Sequence, residues 1–291
     1  MDTKTNGAAP AAKPAPAKPA PKGKPAKEQK ISNVKGIGQA FLVILCCAAI
    51  ACCIFFFVMG AENNFENNDP VNGHPLNYWG TIFKGGMIVP ILLTLLFTVI
   101  VLSVERWFAI RSAQGRGSVA KFVLDTKQDL AAGRIDQAME RCKKQRGSVA
   151  AVVHAVLVKY KEMDANTVLS KEQKLTILRN EVEEATALEM PSLQQNLPIV
   201  ATLTTLGTLV GLLGTVLGMI KSFQALANSG APDATQLSTG ISEALINTAT
   251  GIATGALAVI SYNFYTNKID NLTYAIDEVG FSIVATFSAT H

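Results

Sequence analysis

One carboxylate stands inside an otherwise apolar stretch of this sequence. Glu243 lies near the start of ISEALINTATGIATGALAVIS, residues 241–261, and Asn247, Thr250, Thr254 and Ser261 follow it at steps of four, three, four and seven. That is helical spacing, so the five polar side chains share one face. The run is long enough to cross a bilayer core, which takes roughly 20 helical residues. An acid inside such a span costs about 2.5–3.5 kcal/mol on insertion scales, so this face is expected to avoid lipid. The chemistry open to it is proton or ion passage, with Glu243 as the ionisable group and Thr215, Asn247 and Thr248 as hydrogen-bonding neighbours. Two other readings stay open. In one, Glu243 serves only to hold helices together; in the other, it reaches water from the outer end of its helix.

The run before it, residues 197–220, reads LPIVATLTTLGTLVGLLGTVLGMI. Gly207, Gly211, Gly214 and Gly218 recur at steps of four, three and four, a stripe that lets another backbone come close. Thr204, Thr208 and Thr215 form an overlapping stripe.

Other chemistry finds little support. No nucleophile–base set, zinc-protease motif or phosphate-binding loop occurs, so no enzyme activity and no cofactor are expected. The chain has three histidines, His74, His154 and His291, none in a metal-ligand pattern. Four of its five cysteines (Cys46, Cys47, Cys52, Cys53) fall inside an apolar run and read as packing residues, and Cys142 lies in a polar region.

The elements that must position these residues follow from composition. The 291 residues are 49% hydrophobic and only 16% charged, and the apolar residues concentrate in four runs. Eight lysines fall in the first 36 residues, the 61–85 connection is acidic, and Arg106, Arg111, Arg116 and Lys121 follow the second run. The positive-inside rule then places the N-terminus, residues 105–196 and the C-terminus in the cytoplasm. The expected order is a disordered Lys/Pro/Ala-rich tail (1–36), a first span (37–60), an outer loop (61–85) and a second span (86–104). A helical cytoplasmic domain (105–196), a third span (197–220), an outer loop (221–240), a fourth span (241–262) and a cytoplasmic C-terminal helix (263–291) complete it. Pro191 and Pro198 are expected to bend or break the helix that leads into the third span. The fold class is all-α, a polytopic membrane protein with four transmembrane helices. The tail lysines carry no interleaved aromatics and adjoin a span, so nucleic acid is not an expected partner; the lipid bilayer is.

GLLGTVLGMIKSF (211–223), followed after a short loop by ISEALINTATGIATG (241–255), resembles the signature of the MotA/TolQ/ExbB proton channel family, nearest its ExbB and TolQ branch. The resemblance covers roughly residues 86–291. It implies a homo-oligomer, a pentameric helical bundle in the bacterial inner membrane. The resemblance implies that the oligomer surrounds an ExbD- or TolR-like single-span partner with a membrane aspartate and works with a TonB-like protein, with proton flow driving outer-membrane transport. It further implies that Thr215, Glu243 and Thr248 line the pore; Asn247 is added from helical spacing alone. A TolQ-like envelope motor, a gliding or flagellar stator and a passive scaffold are the competing readings. Two departures stand out: an extra N-terminal span, and Gly207-Thr208 where the family usually has Ala-Pro.

Overall fold

The computed structural model describes residues 33–70, 73–228 and 234–290. The tail up to residue 32, parts of the 61–85 and 221–240 connections and residue 291 lie outside the described residues. Everything regular within them is helical; the one β contact is an isolated bridge between Phe65 and Pro75.

The first helix, α1 (Asn33–Cys53), continues into a π-helical turn (Ile54–Met59). Two short 3-10 turns and a seven-residue helix, α2 (Tyr78–Lys84), lead back toward α3 (Ile88–Gln114). Asn77 caps α2 by accepting from the Gly80 amide at 2.9 Å, an ordinary Asn N-cap. Ala51, Phe55 and Met59 pack on Val89 and Leu93 of α3, and the Phe55 and Phe83 rings stack at 4.7 Å. Phe41, Leu42, Leu45 and Phe57 remain exposed, as expected of a peripheral span whose outer face meets lipid tails.

Four shorter helices follow: α4 (Val119–Ala131), α5 (Ile135–Gln145), α6 (Gly147–Ala165) and α7 (Lys171–Gln194). Ser170 and Gln173 form a reciprocal capping box that starts α7. Pro191 lies in the last turn of α7 without ending it. The break comes at Asn196, whose φ of 63° is left-handed. Pro198 occupies the first turn of the next helix, where its missing N–H costs no internal bond.

That helix is α8 (Leu197–Asn228), and α9 (Ala234–Thr290) runs 57 residues without interruption. Its second half is the spine of the polar domain. Tyr265, Ile269, Leu272, Ile276, Val279, Ile283 and Phe287 form a buried stripe against the core residues of α4, α6 and α7. The same rod therefore carries the Glu243 end and the polar domain, so a displacement of one is transmitted along a continuous hydrogen-bonded helix.

Four stretches among the described residues each contain a helical segment long and apolar enough to cross a bilayer: Ala40–Met59, Ile88–Ala131, Leu197–Gln224 and Leu237–Thr290. The protein is an all-α, multi-pass membrane protein, as its composition led us to expect.

Candidate functional site in the membrane

The glycine stripe of α8 faces α9 of the same chain. A Cβ on Gly211 would lie 3.0 Å from the Asn247 carbonyl oxygen and 3.0 Å from Gly251 Cα. One on Gly218 would lie 2.9 Å from Ala244 Cβ, and one on Gly207 would lie 3.1 Å from Thr254 Cγ2. Backbones this close gain van der Waals contact that lipid cannot supply. The stripe is therefore engaged within the subunit.

This close packing sets the position of the polar residues. Glu243 is only 8% exposed, and its Oε2 accepts from Lys221 Nζ of α8 at 3.3 Å. Lys221 itself is 72% exposed, so it reaches down to the acid from the outer end of the helix pair. A second cation, Lys84, is close enough to act on Glu243 electrostatically. Burial holds the Lys84 ammonium below the usual lysine range; the charges of Glu243 and Asp69 oppose that shift and Lys221 adds to it. Glu243 thus has one lysine as an ion-pair partner and a second within electrostatic range. Helical spacing marks neither as a partner, although Lys221 directly follows the third apolar run and so must stand at the same membrane level as Glu243.

Asn247 is 2% exposed and turned into the subunit. Its Nδ2 donates to the Gly85 carbonyl at 3.0 Å, its Oδ1 has no hydrogen-bond partner among the described residues, and its side chain fills the space left by Gly214, where a Cβ would lie 2.6 Å from Asn247 Cβ. It ties the α2–α3 turn to α9. Thr248 Oγ1 donates to the Gly211 carbonyl at 3.3 Å, and Thr215 Oγ1 donates to its own helix at Leu212, at 2.6 Å. Both threonines are half-buried. Thr254 is fully buried and bonds back to Thr250. The helix pair thus brings Glu243, Asn247 and Thr248 onto the α8 contact. Thr215 stays on α8, with its hydroxyl bonded within that helix.

No group of three or more His, Cys, Asp or Glu side chains that could hold a metal occurs among the described residues. The α8–α9 pair thus encloses one shielded acid with an ion-paired lysine and the hydroxyls of Thr248, Thr250 and Thr254 along the same helix.

Residues 147–278 match the MotA/TolQ/ExbB proton channel family. This chain carries a MotA/TolQ/ExbB family domain. The matched region takes in α6, α7, α8 and most of α9, so it contains every polar residue of the α8–α9 contact. The family is one of channels rather than of enzymes. The Tol-Pal system protein TolQ of Pseudomonas aeruginosa is 26% identical over 201 residues, 67% of this chain and 85% of that protein. The biopolymer transport protein ExbB of Pseudomonas putida is 25% identical over 210 residues, 72% of this chain and 63% of that protein. A Haemophilus influenzae TolQ is 43% identical over a shorter segment of 77 residues, 26% of this chain and 33% of that protein. The match thus spans less than two thirds of the second and third of these relatives.

Proposed function

We propose that this chain is an ExbB-like subunit of a proton-channel motor in the bacterial inner membrane. It works with an ExbD- or TolR-like single-span protein carrying a membrane aspartate, and couples proton entry to TonB-dependent transport across the outer membrane. The observation that carries this reading is the shielded carboxylate of Glu243 in a glycine-packed helix pair inside the family domain. Glu243 is the ionisable group of the pathway. Thr215 and Thr248 present hydroxyls beside it, and Asn247 holds the outer turn against α9 so that the polar file keeps its register. The α8–α9 pairs of several copies, five on this reading, surround the partner's helix. The acidic partner supplies the membrane aspartate that the four apolar spans of this chain lack. A proton crossing 100 mV releases about 2.3 kcal/mol, enough to bias a conformational cycle only if entry and movement are coupled. The rigid α9 rod provides that coupling to the polar domain.

Replacing Glu243 with alanine tests the reading. Glu243→Ala should assemble with its partner yet abolish energy-dependent uptake, and Glu243→Gln separates the need for charge from the need for a hydrogen bond. Full uptake by an assembled Glu243→Ala complex would leave the acid with a packing role alone.

The TolQ relative, matched over 85% of its length, favours a second reading, an envelope-maintenance motor of the same mechanism. Complementation of a strain lacking each system in turn distinguishes the two.

A further inference from the structure

At the other end of the α3–α9 contact, four side chains form a small cationic pocket that the channel reading does not use. Trp107 of α3 and Phe264 of α9 stack at 6.1 Å with ring planes 15° apart. Lys268 Nζ lies 5.7 Å from the Phe264 ring centre, and Arg111 stands one turn beyond Trp107. Together with Ile110, Gln114 and Tyr265 they line a cavity of about 90 Å³, several times the roughly 10–15 Å³ that one water needs. Tyr265 closes its floor by donating to the Ser103 carbonyl at 2.6 Å. No acidic side chain lines the cavity. Neither Arg111 nor Lys268 takes part in a salt bridge among the described residues.

The placement repeats on both helices. On α3, Ile100, Val104, Trp107 and Arg111 follow one another at steps of four, three and four; on α9, Leu257, Ser261, Phe264 and Lys268 do the same. Each series runs from the apolar span, through an aromatic, to a cation. Ile100, Val104, Trp107, Leu257 and Phe264 are all exposed. Amphipathic rings settle at the membrane–water boundary, and basic pockets between helices on the cytoplasmic side suit acidic head groups.

We propose that this pocket binds the phosphodiester head group of an acidic phospholipid. Arg111 and Lys268 hold the phosphate, Trp107 and Phe264 form the shoulder at the interface, and the acyl chain lies along Ile100, Val104 and Leu257. Because Tyr265 also joins the α9 rod to α3, the bound lipid braces the point where α9 leaves the membrane. The proposal needs α3 and α9 to span the bilayer; it does not need the chain to conduct protons.

The test uses the purified full chain in detergent with Trp79→Phe, which leaves Trp107 as the single tryptophan reporter. Lipids with brominated acyl chains quench it on contact. Brominated phosphatidylglycerol should bind about thirtyfold more tightly than brominated phosphatidylcholine, as two cations at roughly 1 kcal/mol each give. Arg111→Gln with Lys268→Gln should erase the preference, Lys268→Gln alone should reduce it about fivefold, and Arg111→Lys with Lys268→Arg should retain it. Equal quenching by the two lipids, or a preference that survives the double glutamine variant, overturns the proposal. Glycerol 3-phosphate marks the source of the phosphate. Displacement of the lipid by it at equal concentration would make this a site for soluble phosphate and would overturn the lipid assignment. Proton-driven uptake is measured separately, so failure here and failure of the channel reading are distinct results.

Discussion

Gly251 offers the sharpest test of how α8 and α9 meet. In Gly251→Ala the new Cβ would lie 2.6 Å from the Gly207 carbonyl oxygen, 2.7 Å from Gly211 Cα and 3.1 Å from Gly211 N. Carbon atoms pack best at about 3.5–4.0 Å, so the two helices must part by roughly 1 Å at this level. All three obstacles are backbone atoms, and no rotamer change can relieve them. Overpacking of this kind costs about 1–3 kcal/mol, and a rigid backbone contact belongs at the upper end. Against it stands the helix-propensity gain of Gly→Ala, about 1 kcal/mol. The expected net loss is about 2 kcal/mol, up to about thirtyfold in the folded-to-unfolded ratio. Separation at this level also stretches the nearby Thr248–Gly211 bond, which is already 3.3 Å long. The assay is equilibrium unfolding in mixed micelles with rising dodecyl sulfate, with Ala253→Leu as the control because Ala253 is exposed. If Gly251→Ala matches or exceeds the parent while Ala253→Leu is neutral, propensity outweighs packing and the close-approach argument fails.

Two further outcomes concern the polar domain. Arg106 is 2% exposed, pairs with Glu105 and donates through Nη1 to the Ser192 and Leu193 carbonyls at 3.3 and 3.4 Å, which ties α3 to the C-terminal turn of α7. Arg106→Leu should cost about 1.5–3 kcal/mol, the range for a charged hydrogen bond, and open the α7–α8 junction to limited proteolysis; unchanged protease resistance would remove this role. Asp129 is buried and bound by Arg134, at 3.0 Å, and by Arg141. Burial raises its pKa, but the two guanidiniums more than offset that and hold it below the usual carboxylate value. Its folded pKa is then lower than its unfolded one, so its contribution is present above the unfolded value near 3.8 and is lost as pH falls through the folded one. Thermal unfolding of the parent should weaken more than that of Asp129→Asn as pH drops below about 4; parallel curves would show that the arginine pairs carry no pH-linked stability.

Much of this protein was legible in local spacing. Apolar runs of bilayer length and helical steps in the polar and glycine stripes depend only on chain geometry, and they led to four spanning helices and to an acid on a polar face. The 211–255 signature led to the family whose domain the chain carries.

The meeting points of distant elements were not legible, because periodicity names a face without naming what it touches. Gly207, Gly211, Gly214 and Gly218 formed a stripe in the sequence; the crossing of α8 and α9 decided that the stripe meets the same subunit. Asn247 shared a helical face with Glu243, but the α2–α3 turn at Gly85 decided that its amide is used inside the protein. Lys221 became a partner of Glu243, and Lys84 came within electrostatic range of it, only when α8 and α2 packed against α9. Pro191 fell in a last helical turn, where little backbone bonding depends on it, and Asn196 supplied the break instead. Sequence fixes the period along each helix; rotation and crossing angle, set by long-range packing, decide what each face touches.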